Sequence, residues 1–124
     1  MTSTLPIEAS PTTPPTPALT LSVVVPAYNE QEVIGECLRR LVAQGDAITE
    51  IVVVDNNSTD DGMAVVAEMA RTYPYIRTIT ESQQGLVYAR NSGIDAATGD
   101  LVARIDADTR VPDGWAQTNR KSVV

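Results

Sequence analysis

Residues 21–62 read LSVVVPAYNEQEVIGECLRRLVAQGDAITEIVVVDNNSTDDG, and this stretch decides the fold. It opens on LSVVV (21–25), a β-branched run ended by Pro26, and closes on a second such run, EIVVVD (50–55). Between them Val33, Ile34, Cys37, Leu38, Leu41 and Val42 fall on one face of a helix. Asn29 with Glu32 three residues later has the pattern of a capping box, and Gly45 is placed to close the helix. Both strands are apolar on both sides, as strands covered on two faces must be. Strand, helix, strand in this order predicts a parallel pair with a right-handed crossover.

The pattern continues outward. Ser58 or Thr59 suits the cap of a second helix, with Asp60 and Asp61 in its first turn. Val66, Met69, Ala70 and Tyr73 share a face of that helix, which stops before Pro74. YIRTIT (75–80) reads as a third strand, SQQG (82–85) as a loop, LVYARNSGIDAA (86–97) as a third helix ending near Gly99, and DLVARID (100–106) as a fourth strand. The expected fold is α/β: a Rossmann-like parallel sheet with alternating helices and no internal repeat. Residues 1–19, MTSTLPIEASPTTPPTPAL, are rich in Pro, Thr and Ser and are expected to form a disordered tail, leaving residues 20–124 as the domain.

Bulk properties remove several function classes. The formal charge is −7, from 9 Lys and Arg against 16 Asp and Glu, which argues against nucleic acid as a partner. An anionic small molecule is still admissible if a cation bridges it to the protein. The absence of His and the single Cys37 exclude a Cys/His zinc site, a Ser-His-Asp triad and an internal disulfide. Any metal must therefore be a hard ion held by carboxylates. No apolar run approaches the roughly 20 residues of a membrane span, and the start lacks the pattern of a signal peptide, so a cytoplasmic location is expected, with peripheral membrane association left open.

In open parallel sheets, ligands bind beyond the carboxyl ends of the strands. Those ends carry PAYNE (26–30), DNNSTDDG (55–62), SQQG (82–85) and DADT (106–109). Asp106 and Asp108, two apart in an extended segment, would point to one side with Ala107 turned away. Mg²⁺ or Mn²⁺ would relieve their repulsion and fill its other positions with water and phosphate oxygens. The plain alternative is a polar strand end in water, with Asp108 starting a turn.

LSVVVPAYNE, EIVVVDNNSTDDG and GLVYARNSGIDAATGDLVARIDAD, in that order, resemble the family 2 glycosyltransferases with the GT-A fold, over nearly everything from Leu21 to about Trp115. The resemblance implies a nucleotide-diphosphate sugar as donor and a divalent metal. Pro26, Ala27 and Tyr28 would line the base pocket, Glu30 would reach the base or ribose, and Asp55 would accept a hydrogen bond from the base. Gly85 would let the backbone pass close to the nucleotide, and Arg90 would face the phosphates or brace the site. Asp106 and Asp108 would be the DxD pair, with Asp108 the direct metal ligand and Asp106 at the ribose, the metal or a metal-bound water. QQG departs from the Asn or Lys that the family often has before the glycine. Plain alternatives are a packing role for Tyr28, a surface role for Glu30 and Arg90, and a turn role for Asp55.

Family members continue well past the DxD pair into an acceptor-binding half, where inverting members place the general base. The resemblance thus implies a partial domain, truncated after the DxD motif, with the acceptor half absent and no catalytic base in this chain. The acceptor, whether glycan, lipid carrier or small molecule, is not specified, and a missing C-terminal half or a partner chain is implied. Two other readings stand beside it: a non-catalytic remnant of the same fold, and a haloacid dehalogenase-like phosphatase, because IDADTRV also matches DxDxT with Asp106 as nucleophile.

Overall fold

The computed structural model describes residues 19–122. Four strands, β1 (Leu21–Ala27), β2 (Glu50–Asp55), β3 (Ile76–Thr80) and β4 (Leu101–Arg104), form one sheet in the order β3-β2-β1-β4, with every pair parallel. The helices are α1 (Ile34–Val42), α2 (Gly62–Thr72), α3 (Leu86–Ala96) and α4 (Trp115–Ser122), with a 3-10 turn at Gly45–Ala47. Alternation along β1 divides the core in two. Leu21, Val23, Val25 and Ala27 pack with Ile34, Cys37, Leu38 and Leu41 of α1 and Val66 of α2, while Val24 packs with Val52, Val54 and Ala89 on the face covered by α3. Gly93 lets α3 lie close to that face, because a Cβ there would stand 2.2 Å from Val24 Cγ1.

The expected elements are present, with four local differences. Asn29 does not cap α1; it adopts φ 53° and its Oδ1 accepts from Thr59 N and Asp60 N, while the turn into the helix closes on Glu30 O. Neither Ser58 nor Thr59 caps α2: it starts at Gly62, so Asp60 and Asp61 stand ahead of its first turn and not in it, and Ser58 Oγ instead accepts from Asn29 N. β4 is shorter than expected, ending at Arg104. α4, which the sequence pattern did not announce, begins at Trp115. The tail expected at residues 1–19 lies outside the described residues, Leu19 apart.

Pro26 explains why β1 and β4 part. Val24 O faces β4 and accepts from Ile105 N (3.0 Å). Two residues on, Pro26 faces the same way but has no N–H to give, so the ladder stops there. A crevice opens between the two strand ends, at the point where the chain order of the sheet reverses from 3-2-1 to 4.

Candidate functional site

A cleft of about 380 Å³ occupies this crevice. Pro26, Ala27, Tyr28 and Glu30 line it from the end of β1, and Asp106, Ala107 and Asp108 from the end of β4. Asn56, Gln84, Leu86 and Ala89 complete the wall. The first turn of α3, which no side chain caps, borders the cleft through Leu86 and Ala89. Asp106 and Asp108 are exposed and are not extended as the alternation argument had it. Thr109 N donates to Asp106 O (3.0 Å), closing a turn. The turn still presents both carboxylates to the cleft, because Ala107 between them is anchored in the α1 side of the core.

Carboxylates gather here, and among the described residues only Asp106 has a cation in reach. Glu30 is held above its ordinary range, first by burial and then by the charges of Asp108, Asp106 and Asp60. Arg90 is the cation that approaches, 3.9 Å from Asp106 Oδ1. Beneath the turn, burial pushes the Cys37 thiol up to about 12, helped by Asp108 and Glu30, so it stays a neutral core residue. Among the described residues, no group of three Asp, Glu, Cys or His is gathered tightly enough to cage a metal. The donor set still fits a hard ion that takes one or two carboxylates and keeps water and ligand oxygens in its other positions. The helices offer none long and apolar enough to cross a membrane among the described residues.

Three of the residues implied by resemblance lie just off the cleft. Asp55 Oδ1 accepts from Ser58 N three residues on (2.9 Å), closing the turn after β2, and its Oδ2 makes no hydrogen bond among the described residues. Gly85, at φ 142°, donates its N–H to Asn56 Oδ1 (3.0 Å). Arg90 lines a neighbouring depression with Arg104, Ile105 and Thr109, which Asp106 also borders. Asn56 is a buried amide that the sequence does not single out. It is 3% exposed, donates from Nδ2 to Glu81 O (2.8 Å) and Gln83 O (3.0 Å), and so fixes the SQQG loop against β2. The polarity of DNNSTDDG gave no sign which of its amides would be buried.

The model of the family described as "Glycosyl transferase family 2" matches residues 22–118. The uncharacterized glycosyltransferase YibD of Escherichia coli K12 is 36% identical over 91 residues, which is 73% of this chain and 26% of YibD. The mannosyltransferase PcManGT of Pyrobaculum calidifontis, solved with GDP-Man and Mn²⁺, superposes with a TM-score of 0.72 at 33% identity, covering 83% of this chain and 31% of that one. TarS 1-349 of S. aureus, solved with UDP-GlcNAc, superposes with a TM-score of 0.73 at 26% identity, covering 85% and 31%. The chain thus spans about a third or less of the length of these relatives. Motif order, parallel topology and a family match over most of its length agree, and the chain belongs to glycosyl transferase family 2.

Proposed function

We propose that this chain forms the donor-binding part of a glycosyltransferase that takes a nucleotide-diphosphate sugar with a divalent cation and passes the sugar to an acceptor hydroxyl. The observation that carries the reading is one cleft lined jointly by Tyr28 and Glu30, the Asp106–Asp108 turn and the start of α3. Pro26, Ala27 and Tyr28 offer an apolar and aromatic wall for the base. Glu30 suits the ribose or base, and Asp55 Oδ2 is free for a base N–H at the rim. Asp108 would hold Mg²⁺ or Mn²⁺ with Asp106 beside it, and the α3 N–H groups would meet the diphosphate. When bound, the cation stabilises the negative charge that develops on the departing diphosphate. Mn²⁺ with GDP-Man in PcManGT and UDP-GlcNAc in TarS support the donor class without choosing the nucleotide. The base that takes the acceptor proton is assigned to no residue here, and an acceptor-binding part, on further polypeptide, is required for transfer.

Calorimetric titration of UDP and GDP into the chain tests this, with Mn²⁺ and with chelator, in parallel with Asp108→Asn. Binding that depends on Mn²⁺ and is lost in the variant is expected. A folded chain that binds neither nucleotide in any condition overturns the donor-site reading.

A further inference from the structure

We propose that Gln44, remote in sequence from the DxD pair, is the positioning residue that pins the Asp106–Asp108 turn in place for a cation; the inference rests on the donor-site reading. Gln44 lies two residues past the end of α1 and is 7% exposed. A buried amide is destabilising unless its hydrogen bonds are made. This one is well supplied, and its partners identify its work. Nε2 donates to Arg40 O (3.2 Å) on its own helix and to Pro112 O (3.0 Å), while Oε1 accepts from Ala116 N (3.0 Å). The last two partners stand 68 and 72 positions away, both on the segment that follows Asp108. Ala116 N is a first-turn amide of α4 that has no partner within its helix. Gln44 therefore caps α4 and ties the loop before it with one side chain.

The segment from Ile105 to Ala116 is thus held by α1 and the sheet at several points. Ile105 N is fixed on Val24 O, and the Cys37 thiol lies 3.9 Å from Asp106 O. Ala107, Val111 and Ala116 are buried in the core on the α1 side. The apolar contacts fix depth but permit sliding; the directional bonds at Pro112 and Ala116 fix where the segment sits along α1. A metal-binding carboxylate needs placement to about half an ångström, which is what such a pin supplies. No carboxylate, cation or nucleotide contact is assigned to Gln44 itself; it acts through the turn.

The test uses Gln44→Met, close in size and without hydrogen bonds, and Gln44→Glu, which keeps the acceptor for Ala116 N but loses both donations while ionised. Amide hydrogen exchange is read across residues 105–116 and across β1 and β2. Nucleotide affinity is read with Mn²⁺ and with chelator. In Gln44→Met, exchange in 105–116 is expected to quicken while β1 and β2 hold, and affinity in Mn²⁺ to fall about tenfold while affinity in chelator stays, the size of one or two lost hydrogen bonds. Gln44→Glu should move part of the way back toward wild-type exchange at acid pH, where its protonated carboxyl can make one of the two donations, judged against wild type at the same pH. Unchanged exchange in 105–116, or equal affinity loss with and without Mn²⁺, overturns the proposal. If wild type binds no nucleotide at all, the donor-site reading fails by itself, and the exchange comparison still decides whether Gln44 is the pin. If Gln44→Met does not fold, Gln44→Glu across pH carries the same comparison.

Discussion

The two ends of the sheet carry the same kinds of side chain and treat them in opposite ways. At the amino end, Glu50 accepts from Ser22 Oγ (2.7 Å), Thr98 N (2.9 Å), Thr98 Oγ1 (3.2 Å) and Arg77 Nε (2.6 Å). Ser22 Oγ in turn accepts from Gly99 N (2.9 Å), and Arg77 also donates to Ala96 O. Burial alone would raise Glu50, but these donors outweigh it and hold the carboxyl at about 2. At the carboxyl end, Glu30, Asp106 and Asp108 line one cleft, and Glu30 is raised by burial and by its acidic neighbours. The first end is a closed network whose charges are answered within the fold. The second gives Asp106 one distant cation, Arg90 at 3.9 Å, and leaves Glu30 and Asp108 to be answered from outside; residues arranged against their own stability in a cleft point to a ligand.

The largest effect should come from opening the closed end. Glu50→Ala leaves the Ser22 hydroxyl, Thr98 N and Arg77 Nε without their acceptor, and is expected to lower stability by about 2 kcal/mol, read as the midpoint of thermal or urea unfolding. Nucleotide binding by the folded fraction should be unchanged. The pH dependence sharpens the contrast. Glu50 titrates near 2 in the fold against 4.5 as its ordinary value, so its stabilisation is present above 4.5 and is lost as pH falls from there toward 2. Glu30 has the opposite sign: its raised value means that stability is lost as pH rises through and just above 4.5. Glu50→Ala should flatten the acid limb of a stability–pH curve, and Asp108→Asn should shrink the loss above 4.5. Equal slopes in all three proteins would erase the distinction between the ends.

Next in size is Asp108→Asn. Removing one of the facing charges should leave stability within about 0.5 kcal/mol of wild type or slightly raise it, as at an exposed site without partners. Mn²⁺-dependent nucleotide affinity should fall by about tenfold or more, the scale of losing a charged ligand bond. Marked destabilisation by this variant would place the turn with the structural end of the sheet.

How much of this was legible follows from the range of the interactions. β1 and β2 were readable because unbroken Val and Ile runs have one common use in an α/β fold, and the strand ends followed from topology. The length of β4 was not, because Leu101–Arg104 is an edge strand, alternately half-buried and exposed, and its pairing stops where Pro26 on another strand lacks a donor. Asn29 looked like a helix cap because caps are local patterns; its partners, Thr59 N and Asp60 N, are 30 and 31 positions away. Asn56 and Gln44 escaped for the same reason. A lone amide in a polar stretch or at a helix end carries no local sign that it will be buried, and only the fold brings Glu81, Gln83 or Pro112 to it. The candidate site was legible where one strand end supplied the residues, and illegible where its support comes from elsewhere in the chain.

The smallest effect separates the two walls of the cleft. Tyr28 is 51% exposed at the end of β1, and an exposed aromatic contributes little to the fold. Tyr28→Ala is therefore expected to change stability by less than about 0.5 kcal/mol. If its ring is the surface for the base, nucleotide affinity should fall by about 1 kcal/mol, several-fold, the usual worth of one aromatic contact. That loss should be the same with Mn²⁺ and with chelator, since Tyr28 belongs to the base wall and the metal to the Asp106–Asp108 turn. Asp108→Asn should do the reverse, removing the Mn²⁺-dependent part and sparing the rest. A Tyr28→Ala loss seen only with Mn²⁺ would mean that the base wall and the turn act as one unit, so that the division of labour across the cleft would have to be redrawn around the metal.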